Sequence, residues 1–451
     1  MTDALAARDA GSPRATPFVP FADQAMYLAH VAGGQHSIMQ FLWRYRRPVD
    51  MAGLMRFRDN LANGRLARLM RPARLPFGRH QWASPPAPPP ALPAAQAPIA
   101  VAALHEWIDA QVELPLDPVS GPGWHLTLQP LEDGSTVISL VVSHCIADGI
   151  AVLLATKEAA LGERRASAYS PVGLVAELQQ VAKDAPATLR ALVRMARSMR
   201  KGPAARRGPA APATVTDTDR TVVFPTVFMR ISTAEWDATA KRHEANRFTF
   251  LTAMTAAFGA ALGRVQGAEV SLLVPVNQRE GLAAEGGNCV TLATLKVPVT
   301  EPRGPLRPLQ RRLQETLVRS RREPDPMAEL LPLVPFVPKR AFRAAGSMAL
   351  GALSELPVTC SHLGNWPVEA LRIDGTIADL FCFRGVDRGV TVRDIEARQG
   401  VASLIAAVIP DFLILNFVAY QPGRVTETRQ LQVLVEDLLA SYGLAGEPFD
   451  G

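Results

Sequence analysis

Apolar residues recur along the chain in two rhythms, one helical and one strand-like. Helical spacing marks Met51 to Leu69, where Leu54, Met55, Phe57, Leu61, Leu66 and Leu69 share a face. It also marks Val101 to Val112, a long amphipathic run from Pro171 to Arg200, Thr233 to Asn246, the strongly apolar Phe248 to Gln266, the Arg-rich Leu306 to Arg322, and Thr428 to Tyr442; Ala22 to His30 reads as a short helical turn. Strands are predicted at Ile38 to Tyr45 (weakly alternating, so with an exposed face), Trp124 to Leu128, Thr136 to Val142, Thr221 to Ile231, Glu269 to Pro275, Cys289 to Val299 and Val358 to Cys360. Asp133-Gly134 in the short connection between the second and third of these is a hairpin signal. The longest apolar stretch, Val401 to Tyr420, is broken by Pro410-Asp411 and Asn416. Its halves are each strand length, which predicts two buried strands or a bent one and not a membrane span.

Breaks in the pattern divide the chain. Residues 1–16 carry no apolar segment and read as a disordered lead, not a signal peptide. Pro85 to Pro98 is a stiff Pro/Ala linker, and Gly202 to Ala213 is the strongest candidate for a boundary. The expected organisation is an N-terminal lobe at 17–201, a linker at 202–214 and a C-terminal lobe at 215–451. Helices interleaved with mostly antiparallel strands in both halves predict two α+β lobes.

Composition supports a folded globular protein: of 451 residues 48% are hydrophobic and 20% charged. The formal net charge of +6 is modest for this length and does not favour nucleic acid over small anionic ligands. Cys145, Cys289, Cys360 and Cys382 form no CxxC pair, so free thiols in a reducing cytoplasm are expected. The chain lacks a G-x-S-x-G elbow, a P-loop and a complete G-x-G-x-x-G. A His-Asp metal pair would need a third ligand nearby, and none is grouped with it; no metal is expected.

The stretch with most chemical content is Ser143-His144-Cys145-Ile146-Ala147-Asp148-Gly149. An apolar strand ends in a histidine, a polar corner follows, and Ile150 to Ala160 has helical character. His144 is either a satisfied histidine at a strand end or a general base, since an imidazole with a pKa near about 6.5 can take a proton at neutral pH. Asp148 either orients that imidazole or fixes the loop by pairing with a cation. Gly149 permits close approach, and the helix start offers N–H groups to an oxyanion. Cys145 points to the opposite face of an extended chain and reads as packing.

Those residues resemble the HHxxxDG motif of the chloramphenicol acetyltransferase-like superfamily, which includes condensation domains, polyketide-associated acyltransferases and wax ester synthase/diacylglycerol acyltransferases. Further segments follow in the order of the condensation-like and wax ester synthase-like branches. They are Leu75 to Trp82, Leu116-Asp117 with Gly123-Trp124, Val274 to Arg279, Gly287-Asn288, and Ser361-His362-Leu363-Gly364. Together they span about residues 17 to 442. Ser143 replaces the first histidine of the motif, and His362 stands where an asparagine is usual. The resemblance implies two chloramphenicol acetyltransferase-like lobes with an active-site tunnel between them. It implies His144 as the base that deprotonates a hydroxyl or amine acceptor, which attacks an acyl thioester carried by CoA or an acyl carrier protein. No cofactor, metal or covalent enzyme intermediate is implied. Asp148 and Gly149 would be structural, with Asp148 pairing with Arg279 across the lobes. Asn288, Ser361, His362 and Gly364 would contact substrate. The alternatives are a carrier-dependent condensation enzyme of natural-product synthesis and a catalytically inactive binding protein of the same fold. The basic segment 190–207 suits a solvated face, an anionic membrane surface beside a lipid acceptor, or an acidic carrier protein.

Overall fold

A computed structural model describes residues 17–85, 92, 96–164, 169, 171–200, 218–279, 287–300, 303–323, 328–338 and 356–449. The expected lead 1–16, most of the Pro/Ala segment 85–98 and the linker 202–214 lie outside the described residues. In chain order the elements are α1 (Phe21–Gly33), β1 (His36–Tyr45), α2 (Met51–Ala62), β2 (Leu69–Arg71), β3 (Gln81–Ala83), α3 (Leu104–Val112), β4 (Trp124–Pro130), β5 (Thr136–Ser143), α4 (Gly149–Ala160) and α5 (Leu174–Arg200). There follow β6 (Thr226–Ser232), α6 (Thr233–Arg242), α7 (Arg247–Ala261), β7 (Glu269–Asn277), β8 (Val290–Pro298), α8 (Arg307–Arg322), β9 (Val358–Asn365), β10 (Leu380–Arg388), β11 (Val401–Ile409), β12 (Phe412–Tyr420), a helix at Thr428–Ala440 and β13 (Glu447–Pro448).

Two larger sheets form the two lobes. One has the order β10-β1-β5-β4, the other β13-β6-β12-β11-β9-β7-β8. Among the described residues only β9 forms parallel ladders, with β11 and with β7; the other ladders are antiparallel. Each lobe has its own core. The first is built on Phe41, Trp43, Leu140, Val142 and Leu54, the second on Trp236, Phe250, Phe258 and Phe417. The α+β two-lobed architecture expected from the sequence is the architecture observed.

Three local expectations change. The helix beginning at Met51 stops at Ala62, with Asp50 as its N-cap, and Leu69 belongs to a strand. The polar character of Ile38 to Tyr45 does not make an exposed face, because β1 is flanked by two strands and buried along nearly its whole length. Its polar side chains are satisfied internally: Gln40 accepts from Arg384 Nε at 2.8 Å and donates to the Ile108 carbonyl, and Arg44 pairs with Asp133 at 2.9 Å. A contiguous split of the lobes also does not describe the packing. β10, from the second half, completes the first sheet by pairing with β1 from His36↔Arg388 to Arg44↔Leu380. Trp366, Leu371 and Phe381 join the first core.

Candidate active site

Strand β5 delivers its last residue, Ser143, into the ladder opposite Ile38, and the chain then turns. His144 sits in that turn, half-buried. Its backbone N–H donates to the Ser37 carbonyl at 3.0 Å, and its carbonyl accepts from Asn288 Nδ2 at 2.8 Å. The imidazole is therefore held by its main chain from both lobes, since Ser37 belongs to the first sheet and Asn288 precedes β8 of the second. His144 Nδ1 is buried with no hydrogen-bond partner among the described residues.

Asp148 is the N-cap of α4. Its Oδ1 accepts from Ala151 N at 2.9 Å; its Oδ2 accepts from Arg279 Nη1 at 2.8 Å and Cys289 N at 3.0 Å. Arg279 Nη2 donates to the Gly287 carbonyl, which also accepts from Asp148 N at 2.9 Å. The paired side chains are only 3% and 5% exposed. The carboxylate makes no hydrogen bond to the imidazole among the described residues, and its contacts fix the loop to the crossing segment that carries Arg279 and Gly287 to Cys289. The same contacts alter the reading of the helix start as an oxyanion seat, because the carboxylate of Asp148 already stands at the positive end of α4. At Gly149 a Cβ would lie 3.0 Å from a Leu363 methyl, so the close approach is made by a side chain of β9.

The resemblance grouped Ser361, His362 and Gly364 with the site. Leu363 reaches α4, whereas His362 lies against the second lobe, its ring 5.6 Å from that of Phe248 in α7. His362 Nδ1 accepts from Gly364 N at 3.2 Å, and its Nε2 is buried without a partner among the described residues. Burial and the nearby Arg247 charge push its pKa down. Gly364 has φ +81° where the β9–β11 register shifts, between Ala406↔His362 and Val408↔Asn365; this is a bulge that a left-handed residue serves. Ser361 is half-buried opposite Ile405. His144, Asp148, Gly149, Arg279 and Asn288 are thus brought together, while His362 faces another layer.

Two further groups stand behind the His144 turn. Asp23 of α1 has no exposed surface, and a Cβ on Gly287 would come 2.8 Å from its Oδ2. Burial raises its carboxyl to about 7, against the lowering influence of Arg68 and Asn288. His36 Nε2 lies 2.7 Å from Ser143 Oγ, and its ring is 4.1 Å from that of His30. Burial, with the neighbouring His30 and Arg388, pushes His36 down to about 3. A cavity of about 420 Å³ opens here, lined by His30, His36, Asp117, Pro122, Val386 and Arg388. In sequence the only trace of this arrangement is the polar stripe Asp23, Tyr27, His30, at spacings of four and three along α1.

No protein-family model and no curated protein matches the chain. Among solved structures, the chain is similar to the condensation domain from Monacolin K polyketide synthase MokA, with a TM-score of 0.57 and 14% identity over 94% of this chain and 96% of that one. It is also similar to the first condensation domain of the CDA synthetase, with a TM-score of 0.55 and 17% identity over 97% and 99%. A mutant of the starter condensation domain of rhizomide synthetase RzmA gives a TM-score of 0.51 at 14% identity over 96% of each chain. At these identities the likeness is one of fold, and it extends over nearly the whole chain.

Proposed function

We infer that the protein transfers an acyl group from a thioester to a hydroxyl or amine acceptor, with His144 as general base. The observation that carries this reading is the seat of His144. A half-exposed imidazole stands at the junction of two lobes, and its backbone is held by one hydrogen bond from each lobe. The open ring nitrogen, Nε2, would take the proton of the acceptor as its oxygen or nitrogen bonds to the thioester carbonyl carbon. The tetrahedral intermediate then breaks its C–S bond, and the imidazolium returns the proton to the departing thiolate. Holding the base rigidly favours reaction because little of its freedom remains to be lost at the transition state.

The test offers purified protein an acyl-CoA with a panel of alcohols and amines, and follows free thiol release and product mass. Turnover by the native protein and a fall of about 10²–10⁴-fold in His144→Ala, with unfolding behaviour unchanged, are expected. Equal turnover in His144→Ala would end the assignment of the base. A second reading, condensation on carrier-bound acyl groups, is favoured by the fold likeness to condensation domains. Activity with acyl carrier protein and none with acyl-CoA would select it. No turnover with either donor would favour a non-catalytic binding protein.

A further inference from the structure

Helix α5 is amphipathic in an inverted sense. It spans 27 residues, about 40 Å at 1.5 Å per residue. Its protein-facing side is polar and small. Glu177, 2% exposed, accepts from Gln81 Nε2 at 2.7 Å and from the backbone of Arg74 and Leu75. Asp184 pairs with Arg79, and Ala191 is buried. The apolar stripe faces outward: Leu174 is 46% exposed, Val175 70%, Leu178 50%, Leu189 63%, Leu192 44% and Val193 42%. At about 100° per residue these six fall within one sector of about 100°. The adjoining sector holds Lys183, Arg190, Arg194 and Arg197, all exposed, and the helix's acids are both on the anchored side. A surface helix of a soluble body normally buries its leucines and exposes its acids.

The apolar surface continues beyond the helix. A groove of about 180 Å³ runs beside Leu189 and Leu192, with Phe77 and Phe336 stacked at 6.1 Å in its wall. The groove reaches Phe21, the first residue of the helix that places Asp23 behind the His144 turn.

We propose that α5 is an interfacial helix that lays its leucine stripe on an anionic membrane surface, with Arg190 and Arg197 among the headgroups. The chemistry selects this occupant. A stripe from Leu174 to Val193, between about five and six turns at 3.6 residues per turn, flanked in its later part by Lys183, Arg190 and Arg197 while Arg194 pairs with Glu329, matches a flat, anionic, apolar-backed surface. An acidic carrier protein would use the arginines but leave most of that stripe in water. The proposal concerns binding alone and stands independently of the acyl-transfer reading.

Vesicle flotation tests it, using phosphatidylcholine alone and phosphatidylcholine mixed with phosphatidylglycerol. Native protein should float with the mixed vesicles, weakly with the neutral ones, and less as salt rises. Leu189→Glu/Leu192→Glu and Arg190→Glu/Arg197→Glu should each weaken binding by about tenfold or more, and their exposure predicts native unfolding midpoints. The proposal is overturned if native protein ignores mixed vesicles, or if both double variants float as it does. Binding to an acyl carrier protein that needs Arg190 and Arg197, without flotation, would likewise overturn it and make this a protein interface.

Discussion

Replacing Arg279 by glutamine tests whether the pair with Asp148 fastens the His144 loop to the second lobe. In the native protein Asp148 Oδ2 accepts from Arg279 Nη1 and Cys289 N, and Oδ1 from Ala151 N, with both charged side chains nearly fully buried. Removing one member of a buried pair costs about 3–5 kcal/mol. The two backbone donors that remain on Asp148 place Arg279→Gln near the lower end, at about 3 kcal/mol. Unfolding entropy of about 2.1 cal/mol/K per residue gives nearly 1 kcal/mol/K for the whole chain, so the melting point should fall by about 3 °C. Asp148→Asn keeps the cap to Ala151 but turns an amide N–H₂ toward two donors, at a cost of about 1–3 kcal/mol. The double variant removes the stranded charge, so it should melt about 2 °C above the sum of the single shifts. Calorimetry on the four proteins measures this, and turnover should fall in both single variants because Asp148 N and the Gly287 carbonyl also lose their alignment. Single shifts under about 1 °C, additive shifts, or Asp148→Asn with native folding and activity would refute the reasoning.

Other outcomes follow from the same geometry. Asp23 is ionised in the unfolded chain above its ordinary 3.8 but stays protonated in the fold up to about 7. Its contribution to stability therefore falls with rising pH across that window, by up to about 1.4 kcal/mol per pH unit, and levels off above it; the difference in stability between native protein and Asp23→Asn, from melting curves against pH, should show that slope. His36 works in the opposite direction: its folded pKa of about 3 lies below the ordinary 6.5, so stability is lost as pH falls from 6.5 toward 3. The two contributions oppose each other between about 3.8 and 6.5, so the difference in stability between native protein and His36→Gln should rise with pH there, by up to about 1.4 kcal/mol per pH unit. Gly287→Ala sets a methyl 2.8 Å from Asp23 Oδ2 and 3.1 Å from the Ile146 carbonyl, and should lower both the melting point and turnover by displacing the crossing segment.

The alternation of apolar residues fixes most elements by local physics. The hairpin of β4 and β5, the pair β11 and β12 around Pro410-Asp411, and the long helix α7 all need only their own residues to be legible. The strand–turn–helix around His144 is local in the same way, since a buried strand, a polar corner and Asp148 as N-cap are near neighbours in sequence. Pairing between distant segments is not local. That β10 completes the first sheet, so that β1 has no exposed face, depends on hydrogen bonds between residues more than three hundred positions apart. The same holds for Asn288, whose amide meets the His144 carbonyl, and for Asp23, whose charge is suppressed by burial that only the packed α1 provides. The sequence by itself determined which residues carry reactive groups and which local shapes present them. The tertiary structure decided which of those groups meet water, which meet each other, and that the leucines of α5 face outward, because burial and long-range pairing are properties of the whole packed chain.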